Sequence, residues 1–214
     1  MREQSDCQAS YDAVADEYVR RIADELRRKP LDCALLDRFA EATRHRGPVC
    51  DLGCGPGHVA RYLKERGVDV AGYDLSFKMV EAARLLNPGI TFHQADMTAL
   101  DLAAESCAGV VAFYSLIHFP PSGIAAALRE FRRVLHPGGL ALLAFHIGDE
   151  ILHLDDWWEQ KVNIDFFFFQ PAQMASDLEA AGFEIVEVIE REPYPDVEHQ
   201  SRRAYIFARR SLKA

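Results

Sequence analysis

The sequence predicts an α/β protein built on a seven-stranded, mostly parallel sheet with helices on both faces and an antiparallel hairpin at its C-terminal end. Three observations carry that prediction. Short apolar runs rich in Val, Ile and Phe alternate with amphipathic segments between Val49 and Phe145, which is the texture of β-α units and of a parallel sheet. The last two strand-like runs, "FEIVEVIERE" and "RRAYIFARR", are separated by only about ten residues, Pro193 to Arg202. That is too short and too Pro-rich for a helical crossover, so these two strands pair antiparallel. Finally, 214 residues with 49% hydrophobic and 27% charged content can bury one sizeable core and leave little for a second. The chain reads as one domain over 1–214: an N-terminal helical cap (1–46), a core (47–147), a lid (148–170), and a C-terminal helix and hairpin (171–214).

Each element has its own signal. From Tyr11 to Leu26 the apolar residues Tyr11, Val14, Ala15, Tyr18, Ile22 and Leu26 recur at three- and four-residue steps, one face of a helix, and Pro30 ends it. Leu31, Leu35, Leu36 and Phe39 repeat the pattern in a second helix that runs out into "ATRHRG". Strands follow at Val49 to Leu52, Val68 to Tyr73, Ile90 to His93, Gly109 to Tyr114 and Leu140 to Phe145, with helices between them. After the lid, "PAQMASDLEAAG" is helical and leads into the terminal hairpin.

Composition narrows the function classes. A net charge of -9, from 33 acidic against 24 basic residues, repels a polyanionic backbone and argues against nucleic acid as a partner. No apolar run is long enough to cross a bilayer. The start "MREQSDCQASYDAVADEY" lacks an apolar stretch flanked by positive charge, so a cytoplasmic protein with reduced thiols is expected. Five cysteines without a C-x-x-C pair fit neither a disulfide framework nor a zinc site. His146, His153 and Asp155 lack the spacing of a metal motif, and no metal is expected.

The most informative stretch is "VCDLGCGPGHVARYLKERGVDVAGYDLS", Val49 to Ser76. In an open parallel sheet the loop after the first strand holds the ligand. Here that loop is Gly53-Cys54-Gly55-Pro56-Gly57, whose glycines let a ligand lie against bare main chain. The dinucleotide fingerprint is G-x-G-x-x-G, whereas this loop is G-x-G-x-G with His58 at the third-glycine position. Asp51 would repel a pyrophosphate but suits a ligand with a positive end. Asp74, at the end of the second strand, suits ribose hydroxyls.

With these residues in view, the chain resembles a class I S-adenosylmethionine-dependent methyltransferase, Rossmann-like and of the small-molecule type. The resemblance rests on five ordered stretches: "VCDLGCGPGHVARYL", "VAGYDLSFKMVEAAR", "ITFHQADMTAL", "GVVAFYSLIHF" and "LREFRRVLHPGGLALLAF". It implies S-adenosyl-L-methionine as cofactor. Asp51 and the backbone at Gly53, Gly55 and Gly57 would hold its methionine portion, Asp74 and Leu75 its ribose side, and Asp96 and Met97 its adenine. Met79 either packs near the adenine or is a core methionine. Tyr11 or Tyr18 lies against the carboxylate end or is plain helix packing. Tyr114 belongs to both the cofactor and the acceptor side.

For the acceptor side, Tyr114, Ser115 and His118 follow the fourth strand and His146 the fifth, where a second substrate must approach. His118 is the first candidate for a base, because imidazole titrates near neutrality; Tyr114 and His146 are the others. The lid carries Trp157, Trp158 and four successive phenylalanines, Phe166 to Phe169, which no single face of a helix or strand can bury. Those rings either line a pocket for a flat or greasy molecule, form a subunit contact, or cap the core edge. "FYSLIHFPP" stands where base- and glutamine-methylating relatives carry Asn/Asp-Pro-Pro-Tyr, which favours a small metabolite acceptor. The expected partner is thus a small-molecule methyl acceptor, the chain being a monomer or homodimer. A protein that binds the cofactor without methyl transfer is the alternative, and a nicotinamide oxidoreductase is disfavoured by the loop and Asp51.

Overall fold

A computed structural model gives the fold and describes residues 4–212; the first three residues of the N-terminal cap and the last two of the chain lie outside the described part. Two helices open the chain, α1 (Gln4–Ile22) and α2 (Pro30–Thr43), joined by a single 3-10 turn over Glu25–Arg28. The helix expected to run through Leu26 thus stops earlier. Leu26 is buried from within the tight turn, and Pro30 starts α2 rather than merely ending its predecessor, a placement that suits a residue without an N–H.

The core alternates as the apolar runs require: β1 (Val49–Leu52), α3 (His58–Glu65), β2 (Val70–Asp74), α4 (Phe77–Leu86), β3 (Thr91–Gln94), β4 (Cys107–Phe113), α5 (Pro121–Val134) and β5 (Leu135–His146). The lid is a hairpin, β6 (Ile151–Trp157) and β7 (Gln160–Phe167), and α6 (Pro171–Ala180), β8 (Phe183–Arg191) and β9 (Arg203–Arg210) complete the chain. The main sheet has seven strands in the order β3-β2-β1-β4-β5-β9-β8. Pairs among β1 to β5 are parallel, while β5–β9 and β8–β9 are antiparallel. β1 and β4 are neighbours in space but distant in sequence, and chain order reverses between them. That reversal opens a crevice at the carboxyl ends of these strands, next to the glycine loop.

β1, β4 and β5 are buried on both faces, as parallel central strands must be. Two apolar clusters result, one beneath α5 and α6 around Phe131, Phe145 and Leu178, the other beneath α2, α3 and α4 around Phe39, Leu63 and Phe207. The lid hairpin forms a separate two-stranded sheet that packs on α1. Its turn residues Trp158 and Glu159 both have positive φ, 50° and 64°, the conformation of the tight turns that match strand twist. No strand was expected between Gly148 and Gln170; the run of phenylalanines hid the alternation. No helix among the described residues is long and apolar enough to cross a membrane. All five cysteines are free thiols.

Candidate active site

The glycine loop sits where β1 ends. Gly53 has φ 71°, and a Cβ there would lie 2.2 Å from the Cβ of Ser115, so the loop is pressed against the start of the segment after β4. Gly55, φ 51°, instead faces open space, its nearest neighbour being the Tyr18 ring at 3.6 Å. One glycine closes the loop against the sheet and the other leaves its backbone bare toward a cavity of about 460 Å³. Gly57 does neither: a side chain there would strike Phe92 and Asn87, and the residue is not in the cavity wall. It serves helix packing, not ligand contact.

Asp74 bridges the loop and the next helix. Its Oδ2 accepts from the Gly55 amide at 2.8 Å and its Oδ1 from the Ser76 amide at 2.9 Å. Burial pushes its carboxyl up to about 6, against the pull of those amides. Leu75, Ala95, Asp96 and Met97 continue the same wall. Asp96 Oδ1 is fixed by the amide and hydroxyl of Thr98, both at 2.8 Å.

Besides Gly57, two expected cofactor residues are elsewhere. Asp51 is 1% exposed, lies outside the cavity wall and faces the Ala60 amide of α3; its Oδ2 has no partner. Burial, with Asp74 nearby, raises it to about 8. The β1 register turns this side chain under the loop, so it does not offer a carboxylate to a ligand's ammonium directly. Met79 is fully buried and also off the cavity wall, a core methionine of α4.

The acceptor candidates do converge on the cavity. Tyr114 follows β4 with φ 53°, a left-handed conformation rare for a bulky residue and typical of functional sites. Its hydroxyl meets that of Tyr205 at 3.0 Å, and burial raises it well above the usual phenol range. His118 Nε2 is 2.7 Å from the Tyr11 hydroxyl, and Nδ1 is 3.2 Å from the Asp165 carbonyl. Burial lowers His118 to about 4. His146 stacks on Phe168 and holds Ser201 Oγ at 2.8 Å. Burial, then the charges of Arg203, His199 and Lys29, lower it to about 3.

Sequence reasoning missed the ionic part of this cavity. Lys29 lies 2.7 Å from Glu25 and 3.3 Å from Glu198; Arg203 Nε lies 3.1 Å from Glu198, though not aimed for a hydrogen bond. Arg191 pairs with Glu198 and, at 2.9 Å, with Asp32. Burial alone would raise Glu25 and Glu198, yet His58, Lys29 and Arg191 hold both at about 2. The signal was a run of charges flanking apolar residues, "ELRRKP" and "DVEHQSRR", which reads the same as a solvated surface.

The lid closes the remaining side. Trp157 sets its edge on Tyr11 and Tyr18, and Phe166 sits against both His118 and Trp157. The four phenylalanines divide: Phe166 and Phe167 line the cavity, Phe168 stacks on His146, and Phe169 packs on Phe145 in the core. Part of the run thus faces the cavity and part caps the core edge. Asn163 ties β7 to α1, its amide N–H donating to Ser10 Oγ at 3.0 Å and its side chain to Asp6 at 2.7 Å. Among the described residues no group of three or more His, Cys, Asp or Glu is placed to hold a metal ion.

Comparison with known proteins agrees with this geometry. Residues 49–139, from β1 to the start of β5, match the family model described as a methyltransferase domain. The malonyl-[acyl-carrier protein] O-methyltransferase of Enterobacter lignolyticus is 31% identical over 150 residues, 70% of this chain and 57% of that protein. The demethylmenaquinone methyltransferase of Chlorobaculum parvum is 35% identical over 96 residues, 44% of this chain and 39% of that protein. The chain thus spans about half the length of these curated relatives. Among solved structures, the Burkholderia thailandensis 1,6-didemethyltoxoflavin-N1-methyltransferase shares the fold over 97% of this chain and 87% of its own, with TM-score 0.72 and 21% identity. The ordered motifs, the strand order and the family match agree: residues 49–139 carry a methyltransferase domain, set in the fold of the class I S-adenosylmethionine-dependent methyltransferases.

Proposed function

We propose that this chain transfers the methyl group of S-adenosylmethionine to an oxygen or nitrogen of a small organic acceptor. The observation that carries the reading is that a cofactor half and an acceptor half share one cavity: Gly53, Gly55, Asp74 and Asp96 on one side, Tyr114, His118 and His146 on the other. The residues fit the cofactor. Gly55 leaves backbone bare where a Cβ would intrude, Asp74 is already oriented by two amides toward the place of a ribose, and Asp96 with Met97 can meet an adenine edge. Lys29, Glu25 and His58, beside the loop, would face the amino-acid end.

The sulfonium supplies an activated methyl carbon and a neutral thioether as leaving group. What the chain adds is position and an apolar surround. Orientation of two reactants can offset roughly 7 to 11 kcal/mol of barrier, and the Trp157 and Phe166 rings of the lid give the cavity an apolar wall. The relatives above are named for a malonyl group on an acyl-carrier protein, for demethylmenaquinone and for didemethyltoxoflavin, each a small organic group even where a protein carries it. Such variety supports a small-molecule acceptor as a class and singles out none.

Calorimetric titration with S-adenosylmethionine, S-adenosylhomocysteine and NADH, alongside Asp74→Ala, tests the proposal. Binding of the first two and not the third is expected, weakened at least tenfold in the variant because a charged acceptor of hydrogen bonds is lost. Binding without any formation of S-adenosylhomocysteine across an acceptor panel would favour a cofactor-binding protein that transfers nothing. Preference for NADH would overturn the reading altogether.

A further inference from the structure

Resting on the methyltransferase reading, we infer that Tyr11 and His118 act as one proton-accepting pair, and that the acceptor is a planar ring whose reacting oxygen or nitrogen carries a proton. The tautomer follows from the partners. A carbonyl only accepts, so the Nδ1 of His118 facing the Asp165 carbonyl carries the hydrogen. Burial keeps the ring neutral, so Nε2 holds a lone pair, and the Tyr11 hydroxyl 2.7 Å away must donate to it. The Tyr11 oxygen then presents its own lone pairs elsewhere, and both residues line the cavity. Tyr11 is locked in that orientation by ring contacts with Tyr18 and Trp157. The charged or titratable neighbours of Tyr11 are Cys7 and Tyr18 from α1 and Asp74 from β2.

A carboxylate acceptor does not suit this end of the site. It brings lone pairs toward lone pairs, and the lysine and arginine that line the cavity are already matched by Glu25 and Glu198. A ring hydroxyl or ring N–H brings the missing donor, and the surrounding Trp157, Phe166 and Tyr114 give flat apolar walls. The transfer step also balances. The acceptor atom forms its bond to the methyl carbon as the carbon–sulfur pair stays on sulfur. Its proton passes to the Tyr11 oxygen while the Tyr11 proton moves to His118 Nε2. One positive charge leaves the sulfonium and one arrives on the imidazolium, so the buried cavity never gains net charge. That conservation explains how a histidine unwilling to ionise alone can take a proton during transfer.

The test uses the whole protein with 7-hydroxycoumarin, 7-methoxycoumarin and coumarin-3-carboxylate as probes. In the S-adenosylhomocysteine complex, 7-hydroxycoumarin should bind about tenfold tighter than either analogue, and Tyr11→Phe should remove that preference. With S-adenosylmethionine, methyl transfer to 7-hydroxycoumarin should lose about a hundredfold in kcat in His118→Gln, with KM and S-adenosylhomocysteine affinity within about threefold of the parent. Equal or tighter binding of the carboxylate, a preference that survives Tyr11→Phe, binding of the hydroxycoumarin without transfer, or no coumarin binding by protein that does bind S-adenosylhomocysteine overturns the inference. Failure to bind S-adenosylhomocysteine at all refutes the methyltransferase reading instead, so the two failures are distinct.

Discussion

Replacing Asp51 by Asn should stabilise the cofactor-free protein at neutral pH and do the opposite in acid. The Asp51 carboxyl is 1% exposed, its Oδ2 has no partner, and burial raises it from 3.8 to about 8. A carboxyl whose folded value lies above its unfolded one contributes stability that is whole below the unfolded value and is lost as pH rises through the folded one. Between about pH 4 and pH 7 the loss accumulates at about 1.4 kcal/mol per unit, a ceiling of about 4 kcal/mol. Asn removes that loss but buries an amide with one donor unmatched, which costs about 1–3 kcal/mol at every pH. The variant is therefore expected to be about 1–3 kcal/mol less stable than the parent at pH 4 and about 1–3 kcal/mol more stable at pH 7. Urea unfolding of both proteins at the two pH values reads the difference directly, and contributions common to both, such as His118 and His146, cancel. A difference independent of pH, or one that moves against the variant as pH rises, refutes the account of Asp51 as a buried, ligand-remote acid.

Gly53→Ala forces a Cβ to 2.2 Å from Ser115 at φ 71°; left-handed strain of about 1–2 kcal/mol and overpacking of about 1–3 kcal/mol should lower the unfolding midpoint and weaken S-adenosylhomocysteine binding together. Asn163→Ala removes the side-chain tie from β7 to Asp6 of α1 and leaves the backbone one to Ser10; losing that bond to a charged group, worth about 1.5–3 kcal/mol, should speed hydrogen exchange in 151–167 and release of S-adenosylhomocysteine without altering exchange in β4 or β5. Glu198→Gln leaves Lys29, Arg191 and Arg203 facing only Glu25 and Asp32. One surplus buried cation at about 10 Å and an effective dielectric constant of about 20 opposes another by about 1.7 kcal/mol. Affinity for the cationic S-adenosylmethionine should accordingly fall about tenfold more than affinity for neutral S-adenosylhomocysteine, and titration of both ligands checks the ratio.

What the sequence could convey follows from how far apart the cooperating residues lie. The core strands were legible because each contains a short apolar run set between helical patterns, and the terminal hairpin because a short Pro-containing gap leaves no other geometry. Gly53, Asp74, Leu75, Asp96 and Met97 reach the cavity because each sits at or just beyond the carboxyl end of its strand, a position fixed by local order. Asp51 and Met79 did not, since the face on which a side chain emerges depends on register: Asp51 pairs with Gly72 and turns beneath the loop. The lid hairpin was hidden for a related reason. Alternation in "VNIDFFFF" is masked by aromatic residues on both faces, one set meeting the cavity and another the core, so the period-two signal vanishes where both faces are buried.

On the proposed acceptor side the sequence offered candidates but not their contacts, because these join three distant segments. Tyr11 comes from the first helix, His118 from the turn after β4, and the Asp165 carbonyl that sets its tautomer from the lid. None of these carries a motif by itself, since a tyrosine on a helix face, a histidine in a turn and a main-chain carbonyl are ordinary residues until folding makes them neighbours. The ionic cluster adds a second closure of the same kind. Lys29 and Asp32 open α2, whereas Arg191, Glu198 and Arg203 belong to the terminal hairpin and its loop, and Tyr114 and Tyr205 stand between them. Removing one member of a buried pair leaves its partner uncompensated, at about 3–5 kcal/mol. The cap is thereby committed to the hairpin, and a cavity whose glycine-loop side comes from contiguous motifs is closed by the segments after β4 and β5, the lid and residues from both ends of the chain.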